Sequence, residues 1–304
     1  MITLGFDIGG TKVAYGAVVD GRLIDTTQVP VPTGDYGALI ALIAETVRGS
    51  GTSVDAVGVG VAAWMSADRE VVHRSASLGW DDMPLRADLA RAIDLPVTVV
   101  NDADAAAWGA HVLRGHPAGT SMTLTLGTDV GGGVIVNGLL ITGSHGIAGE
   151  LGHLIVSTQG RECRCGGTDC LATVASGTAL INHVRALAAA RPGDFPALLQ
   201  STDPSNLGPA DVARASEAEC AVLLAEAATG IAAASAIVSR VVDHDTLVLA
   251  GGVSAIGDPL RQAVLAALQA TPRIGNVHPI PEVYLIPANV PVGVLGAADL
   301  ASRS

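Results

Sequence analysis

The sequence predicts an α/β protein made of two related lobes. Apolar strand patterns alternate with helical patterns along the chain, which is typical of α/β layers. Each half also carries a strand, a glycine-rich turn and a second strand, around Gly9–Gly10 and again around residues 127–133. We therefore expect a small N-terminal lobe at 1–115, onto which a helix at about 292–304 packs back, and a larger lobe at 116–291.

The first half begins with short apolar runs that indicate strands. Asp20-Gly21 closes the second of these runs, and Asp-Gly is a strong hairpin signal. Apolar residues at helical spacing and an alanine-rich stretch then indicate helices. The predicted strands cover residues 2–7, 13–19, 54–61 and 96–100, and the predicted helices cover 38–48, 85–93 and 102–113.

The second half continues this alternation. A long alanine-rich segment with few charges predicts a helix that is buried in the core or in a subunit interface, which favours a homodimer or homotetramer. The predicted strands cover residues 122–126, 134–136 and 246–250, strand and turn cover 279–291, and the predicted helices cover 217–242 and 293–301.

Composition limits the possible functions. Of the 304 residues, 49 % are hydrophobic and 15 % are charged, so the chain can bury a large core and lacks the signature of disorder. A net charge of −12 argues against nonspecific nucleic-acid binding, which requires a basic surface. A strand pattern begins at once without a basic leader, and no uninterrupted apolar stretch indicates a membrane span. We expect a cytoplasmic protein with neither a nucleic-acid nor a membrane partner.

Residues 145–170 contain the densest group of potential metal-binding side chains, because three of the four cysteines lie there. Three thiols and one imidazole form a complete tetrahedral set for Zn²⁺, and four protein ligands leave no position for water. The spacing therefore favours a structural zinc site over the alternative, reduced thiols in an ordinary loop. The candidate ligands are His153, Cys163, Cys165 and Cys170.

Glu150 lies three residues before His153 and would share a face with it if this segment begins a helix. A metal on one nitrogen of His153 would fix the role of the other nitrogen. We therefore expect a histidine–glutamate pair, oriented by the metal, that binds a polar ligand.

Two glycine-rich turns have the character of phosphate-binding loops. Backbone amides exposed by paired glycines can bind phosphate oxygens, and a nearby aspartate can hold a magnesium shell. Each turn alone is as consistent with an ordinary hairpin, and the first has neither the Walker A nor the G-x-G-x-x-G spacing. The residues concerned are Asp7, Gly9, Gly10, Thr11 and Lys12 in the first turn, and Gly127, Thr128, Asp129 and Gly131 in the second. Together they predict a triphosphate site.

Two other motifs have two interpretations each on local grounds. Asn101-Asp102 follows one predicted strand and starts a helix, so Asp102 is either part of an N-cap or a general base for a hydroxyl. Gly251-Gly252 follows another predicted strand and either allows close approach of a flat ligand such as adenine or starts a helix.

In this order, the motifs resemble the ROK family of sugar kinases and sugar-responsive repressors over essentially the whole chain. The matching segments are DIGGTK (7–12), NDADAAAWG (101–109), LGTDVGGG (126–133), HGIAGELGH (145–153), CRCGGTDC (163–170) and LAGGV (249–253). The resemblance implies an actin-like fold with two ribonuclease-H-like lobes, and ATP and sugar in the cleft between them.

The resemblance also implies roles for individual residues. Asp102 would be the base that deprotonates a primary hydroxyl, equivalent to the 6-hydroxyl of glucose, for attack on the γ-phosphate of ATP. Asn101, Glu150 and His153 would bind sugar hydroxyls. The two glycine turns would hold the phosphates with Mg²⁺, and a structural Zn²⁺ would lie on the Cys₃His set.

Several positions depart from the family's usual pattern. Ala172 stands where the family usually has a glutamate that contacts the hydroxyls at sugar positions 1 and 2. Ala62-Ala63-Trp64 replaces a Pro-Gly-Pro turn, Ser77 replaces an asparagine, and Asp129 stands where glycine is common. Sites built to bind a hydroxyl discriminate strongly, and Ala63 and Ser77 are among the substrate-binding positions. We therefore expect a modified glucose-like substrate.

An amino sugar such as kanosamine and a C7-cyclitol of the valiolone type are the candidate substrates, with plain glucose as the alternative. A ring ketone has no proton to donate to a glutamate, so the cyclitol would suit the loss at Ala172. A non-catalytic sugar sensor and a degenerate kinase that serves as a structural subunit are the other interpretations. The family's repressors carry an N-terminal helix-turn-helix domain, for which we expect no room before Asp7, and the presence of Asp102 favours a kinase.

Overall fold

The structure is a computed structural model that describes residues 1–303 apart from 33, 52, 191–207, 213–216 and 273–277. Contacts divide the chain into two compact units. Unit 1 comprises Met1–Ala118, Gly133–Gly149 and Pro291–Ser304, and unit 2 comprises Gly119–Gly132 and Glu150–Val290. The sequence analysis assigned residues 133–149 to the larger lobe, whereas their contacts assign them to unit 1. These units are defined by contacts alone, and the predicted division into two lobes stays a prediction.

A five-stranded sheet forms the centre of unit 1, and its strands follow the apolar runs of the sequence. In spatial order they are β3 (Arg22–Pro30), β2 (Lys12–Val19), β1 (Ile2–Ile8), β4 (Ala56–Val61) and β8 (Val97–Asn101). Strand β1 pairs antiparallel with β2 and parallel with β4, and β4 pairs parallel with β8. Every residue of β4 is buried, as expected for a parallel strand that is covered on both faces.

A second five-stranded sheet has the spatial order β11 (Leu139–Leu140), β10 (Val130–Val136), β9 (Thr120–Leu126), β12 (Thr246–Ala250) and β13 (Glu282–Leu285). Strand β12 pairs parallel with both β9 and β13. A small antiparallel sheet consists of β5 (Trp64–Met65), β6 (Val72–Ser75) and β7 (Trp80–Met83).

The α-helices of the described residues follow in chain order. They are α1 (Tyr36–Gly49), α2 (Leu85–Ile93), α3 (Asp102–Leu113), α4 (Ala172–Ala175), α5 (Gly177–Ala190), α6 (Pro209–Val212), α7 (Glu217–Val242), α8 (Asp258–Ala270) and α9 (Val292–Ser302). The predicted helices and strands all appear in the structure, and most have closely similar bounds. Strand β10 is the main difference, since it begins at Val130 and so includes residues that were predicted to lie in the glycine turn at 127–133. Strand β3 follows the predicted hairpin turn at Asp20-Gly21, whereas the small sheet and the helices α4, α5, α6 and α8 were not predicted.

The C-terminal helix α9 packs on β1, β4 and α3 within unit 1. The close backbone contact depends on glycines in the two strands. A Cβ atom on Gly5 would lie 2.1 Å from the carbonyl oxygen of Val294, and one on Gly58 would lie 1.8 Å from that of Ala297. Larger residues at these two positions would therefore push the helix away from the sheet.

Helix α7 contains a stretch, Ala221–Val242, that by length and mean hydropathy of 1.9 would suffice to cross a membrane. However, 56 % of that stretch is buried inside the protein. The core helix of a globular unit meets the same criteria, so this stretch is weak evidence for a membrane span.

His244, between α7 and β12, is a buried titratable group from which we expect a pH dependence of the stability of unit 2. It is only 1 % exposed, and the hydroxyls of Ser235 and Ser239 lie 3.0 and 3.2 Å from its two ring nitrogens. Burial first, and the charge of His278 second, lower the pKa of His244 from 6.5 to about 4.

The native state therefore resists protonation of His244, whereas the unfolded chain takes up the proton near pH 6.5. We expect the free energy of unfolding to fall by roughly 3 kcal/mol as the pH drops from about 6.5 to about 4. Urea unfolding of the wild type and of His244→Asn across this range measures the effect, and the variant should lose most of this acid dependence. The exposed His73 provides the control, since His73→Asn should retain the wild-type slope. An equal slope in His244→Asn would contradict the assignment.

Candidate active site

The carboxyl ends of three parallel strands meet in unit 1, which is where open α/β sheets bind ligands. Asp7 lies near the end of β1, Ala63 follows β4, and Asn101 ends β8. The register pairs Asp7 with Gly60, and it pairs Val61 with Asn101. The structure thus brings the predicted site residues Asp7, Ala63 and Asn101 to one edge of the sheet.

Asn101 caps α3. Its Oδ1 accepts hydrogen bonds from the backbone N–H of Ala103 at 2.8 Å and of Asp104 at 3.1 Å. Its Nδ2 donates to the carbonyl oxygen of Ala63 at 3.1 Å. These contacts involve both lone pairs of the oxygen and one N–H of the amide. A sugar contact of Asn101 would therefore have to use the second N–H.

Asp102 is the first residue of α3 and is partly exposed. Its Oδ1 accepts a hydrogen bond from the N–H of Ala103 at 3.0 Å. The N-cap side chain of α3 is nevertheless that of Asn101, which accepts from two N–H groups of the first turn, whereas Asp102 accepts from one. The sequence left open whether Asp102 is part of the N-cap or a base. The structure shows that the N-cap is its neighbour, Asn101.

Asp7 lies against the first turn of α9, where a Cβ atom on Gly293 would approach its Oδ2 to 2.3 Å. Burial, and in second place the charge of Asp102, raise the pKa of Asp7 from 3.8 to about 7. The negative charges of Asp7 and Asp102 repel each other at one edge of the sheet, so binding a cation there would be favourable.

The first glycine turn is closed by short backbone contacts. The N–H of Gly9 donates to the carbonyl of Lys12 at 3.0 Å. A Cβ atom on Gly10 would lie 2.8 Å from the Cβ of Ser77, so this close approach requires glycine. Ser77 therefore lies directly against the predicted phosphate turn.

The second glycine turn lies in unit 2, where β9 ends. The N–H of Gly127 donates to the carbonyl of Asp129 at 2.9 Å, and the Asp129 carboxylate accepts from the N–H of Val130 at 2.9 Å. Thr178, at the start of α5, donates its hydroxyl hydrogen to the carbonyl of Thr128 at 2.8 Å. These contacts hold residues 127–129 against α5, whereas Gly131, which was predicted to lie in this turn, belongs to β10.

Gly251 and Gly252 follow β12, the parallel neighbour of β9, and therefore lie beside this turn. Gly251 has φ +89°, and a Cβ atom there would lie 2.7 Å from the carbonyl oxygen of Leu126. Gly252 begins a 3₁₀ helix, Gly252–Ile256. The interpretation as a helix start is confirmed for a 3₁₀ helix, whereas the approach of a flat ligand to this glycine pair stays a prediction.

The four predicted metal ligands meet in unit 2, with their donor atoms all within 4.8 Å of one another. The Sγ of Cys163 lies 3.6 Å from Nδ1 of His153, and the Sγ atoms of Cys165 and Cys170 are 3.7 Å apart. A tetrahedral zinc with Zn–S bonds of about 2.3 Å places ligand atoms at about these separations. A disulfide, at about 2.05 Å, would be far shorter.

The three thiols of this cluster differ in their environments. Burial, followed by the neighbouring sulfurs, raises the pKa of Cys170 to about 12. The backbone N–H of Gly167, as the largest cause, lowers the pKa of Cys165. A cation would stabilise the deprotonated form of all three thiols, so this donor set fits a zinc ion.

His153 and Glu150 face each other as the sequence predicts, although on a shorter element. The segment does begin a helix, but it is a 3₁₀ helix, Leu151–His153, with Glu150 at its N-cap position. The pairing survives because residues three apart eclipse in a 3₁₀ helix. Nε2 of His153 lies 3.7 Å from the Glu150 carboxylate, while Nδ1 faces the thiols.

The 3₁₀ helix also lies against the second glycine turn. A Cβ atom on Gly152 would approach the carbonyl oxygen of Val130 to 1.9 Å, so only glycine permits this contact. Unit 2 therefore places the histidine–glutamate pair next to the predicted phosphate turn.

Comparisons with known proteins agree with this geometry. The model of the ROK family matches residues 3–304. The chain belongs to the ROK family. It is 33 % identical over 309 residues to a glucokinase of Streptomyces coelicolor, covering 99 % of this chain and 97 % of the relative. It is 32 % identical over 304 residues to an N-acetylmannosamine kinase of Yersinia pestis, covering 99 % and 98 %.

Among solved structures, a ROK family glucokinase from Streptomyces griseus in complex with glucose and AMPPNP has a TM-score of 0.85. It is 31 % identical to this chain and both chains are covered completely. The actin-like α/β fold expected from the sequence is thus confirmed.

Asp169 is a residue of this ROK protein whose role the sequence analysis missed. Its buried carboxylate accepts hydrogen bonds from the hydroxyl of Ser157 at 2.6 Å and from the N–H groups of Gln159, Gly160 and Arg161 at 2.9–3.2 Å. The Ser157 bond is the largest cause of the lowered pKa of Asp169. Asp169 thereby holds the loop that leads into Cys163. Its position beside Cys170 was the available signal.

A cavity of about 430 Å³ opens beside Ala172 in unit 2 of the ROK fold. Its lining includes Thr128 from the glycine turn, Cys163 from the metal cluster and the carboxylate residue Glu226 on α7. Glu226 is held by Arg161 at 2.5 Å and by His183 at 3.3 Å. Ala172 thus stands where the family usually has a glutamate. It lines this cavity together with the carboxylate residue Glu226.

Proposed function

We propose that this protein is an ATP-dependent kinase that phosphorylates the primary, 6-type hydroxyl of a glucose-like sugar, with Asp102 as the general base. The observation that carries the proposal is the position of Asp102 beside Asp7, at the sheet edge where three parallel strands end, with the helix cap supplied by Asn101. A partly exposed carboxylate at this edge can accept the proton of a bound hydroxyl.

The remaining predicted residues fit roles in phosphoryl transfer, which depends mainly on positioning and charge stabilisation. The amides of the two glycine turns would bind phosphate oxygens, and Gly251-Gly252 would allow the nucleoside to approach the backbone. Asp7 would help to hold Mg²⁺, which when bound with ATP neutralises charge on the transferred group.

The Cys₃His cluster would hold a structural Zn²⁺, because all four donors come from the protein. Nδ1 of His153 points to the thiols, so the metal would orient the ring and present Nε2 together with Glu150 to the sugar hydroxyls. The cluster would thus brace the sugar-binding residues.

The substrate that we propose is a modified glucose, kanosamine first, with a valiolone-type cyclitol or plain glucose as alternatives. Replacement of hydroxyl-binding groups at Ala172 and Ser77 supports a changed pattern of ring substituents. ADP release with ATP and Mg²⁺ should be measured against glucose, mannose, N-acetylmannosamine, glucosamine, kanosamine and a valiolone epimer. The highest kcat/KM on a modified substrate supports the proposal, and the highest value on glucose would make this an ordinary glucokinase.

Ala172→Glu is expected to raise kcat/KM for plain glucose by about tenfold, because a buried hydroxyl contact of this kind changes discrimination by at least that factor. The adjacent cavity of about 430 Å³ has room for the longer side chain. Ala172→Gln, which has the same shape without the charge, is the matched control and should give a smaller gain. Unchanged kinetics on glucose would place the specificity elsewhere.

A non-catalytic sugar sensor is the alternative of another class. It shares the sugar-binding residues but does not need a base, so Asp102 favours the kinase. Sugar binding by calorimetry without ADP release from any member of the panel would support the sensor and refute the kinase.

A further inference from the structure

Trp64 differs from the other tryptophans in its exposure. The chain has three tryptophans, all among the described residues. Trp80 and Trp108 are each 6 % exposed, whereas Trp64 is 42 % exposed. Single exposed apolar residues are common on protein surfaces. The exposure of Trp64 becomes informative only together with its surroundings.

The backbone on which Trp64 stands is fixed by hydrogen bonds from three directions. The N–H of Ala62 donates to the carbonyl of Ile8 at 3.0 Å. The hydroxyl of Ser75 donates to the carbonyl of Ala62 at 2.6 Å, and Nδ2 of Asn101 donates to that of Ala63 at 3.1 Å. A surface tryptophan on a mobile loop would not need such support. The backbone that leads directly into Trp64 therefore has a defined position.

That backbone segment is hydrogen-bonded to the residue that precedes the proposed base. Ala63, the neighbour of Trp64, is bonded to Asn101, and Asn101 is the neighbour of Asp102. The same short segment therefore links the indole-bearing residue to the start of α3. All of these residues belong to unit 1.

Polar side chains accompany Trp64 on its sheet. Arg74 lies directly opposite it across the β5–β6 pair, and Asp81 lies opposite Arg74 across the β6–β7 pair. Residues directly opposite each other in an antiparallel pair lie on the same face. Trp64 thus combines a large apolar surface with a neighbouring polar row, a combination that is frequent in sites for ligands with both apolar and hydroxylated parts.

We infer that Trp64 is a specificity residue whose indole ring packs against the C–H face of the six-membered ring of the substrate, a polyol ring held for reaction at Asp102. This inference rests on the proposed function and adds a contact to it. A pyranose or cyclitol ring offers apolar C–H groups on its faces and hydroxyl or amino groups at its rim. The indole ring covers a face while the rim remains for polar partners such as Asn101.

The first test uses tryptophan fluorescence. Since Trp80 and Trp108 are buried, acrylamide quenching reports mainly on Trp64. Saturating substrate, taken as the best sugar of the ADP-release panel or kanosamine if none turns over, is expected to reduce the quenching constant by at least about twofold. ATP alone is not expected to do so. Quenching that the sugar leaves unchanged would overturn the inference, as would shielding that depends on protein concentration and not on sugar.

The second test is kinetic. Trp64→Ala is expected to raise KM for the sugar about tenfold or more, since a large apolar contact is lost, with kcat changed less than threefold. Trp64→Phe retains an aromatic face and should recover most of the affinity. Ile24→Ala removes another exposed apolar side chain, on β3, and should leave both constants unchanged. Equal KM values for the wild type and Trp64→Ala would overturn the inference.

The two proposals fail in distinguishable ways. Absence of ADP release with every sugar refutes the proposed kinase function, while the quenching experiment still decides whether Trp64 contacts a sugar. Active enzyme with a normal KM in Trp64→Ala refutes the contact and leaves the kinase intact. Thermal unfolding of both Trp64 variants within a few degrees of the wild type shows that any change in KM is not a folding defect.

Discussion

Asp102→Asn is expected to lower kcat by about 10²- to 10⁴-fold, the range that a positioned general base contributes. The amide is nearly the same size as the carboxylate but cannot accept the proton of the attacking hydroxyl. The fold should tolerate the change, because Asn101 provides the cap of α3 and Asp102 is partly exposed. KM for the sugar should change much less than kcat, since the loss concerns the transition state.

ADP release by the purified variant measures this effect. Asp94→Asn is a matched control, because Asp94 is an exposed aspartate of the same unit and its left-handed conformation, φ +56°, suits asparagine equally well. The control should retain full activity. A loss of less than tenfold in Asp102→Asn would remove Asp102 from the role of base.

The same variant has a second readout that does not depend on turnover. Part of the upward shift in the pKa of Asp7 comes from the charge of Asp102, with burial as the larger cause. Removing that charge should lower the pKa of Asp7 from about 7 toward its ordinary value, without restoring it fully. Carbon-13 NMR of the aspartate carboxyls follows this titration. An unchanged pKa of Asp7 would mean that the two carboxylates do not interact.

The central strands of the fold were predictable because their sequence signal is strong. Strand β4 is a continuous run of buried small and branched residues, and such runs indicate parallel strands that are covered on both faces. The small sheet was not predictable by the same reasoning. Strand β5 has two residues and β6 combines buried ends with an exposed histidine and arginine in the middle, so neither shows a period of two.

The sequence predicted which residues lie at the candidate site, but not which structural role each of them has. Chain order alone does not reveal that Asn101, rather than Asp102, supplies the cap, because both residue types are favoured at that position. The gathering of His153, Cys163, Cys165 and Cys170 was predictable from their spacing, and their role as metal ligands stays a prediction. The role of Asp169 was not predictable, because its hydrogen bonds reach backbone groups up to 10 residues away along a loop whose path only the structure reveals.

The second large effect is expected when one ligand of the proposed zinc site is removed. Cys165→Ser is expected to abolish stoichiometric zinc binding and to lower Tm by roughly 10 °C, because a structural zinc contributes many kcal/mol and each kcal/mol shifts Tm by a few degrees in a chain of this size. Cys165 is exposed, so its replacement removes a ligand with little loss of packing. Elemental analysis and thermal unfolding, with and without a chelator, measure both effects.

The effect on catalysis should appear mainly in the KM for the sugar. Nδ1 of His153 faces the thiols, and Nε2 of His153 faces Glu150. If the proposed zinc is lost, we expect the imidazole to lose its fixed orientation, and with it the proposed sugar-binding pair of His153 and Glu150. Thr168→Ser changes an exposed neighbour in the same loop and should keep both the metal and the wild-type KM. Full zinc content in Cys165→Ser would mean that the four donors do not act as one site, and a normal KM without zinc would separate the metal from sugar binding.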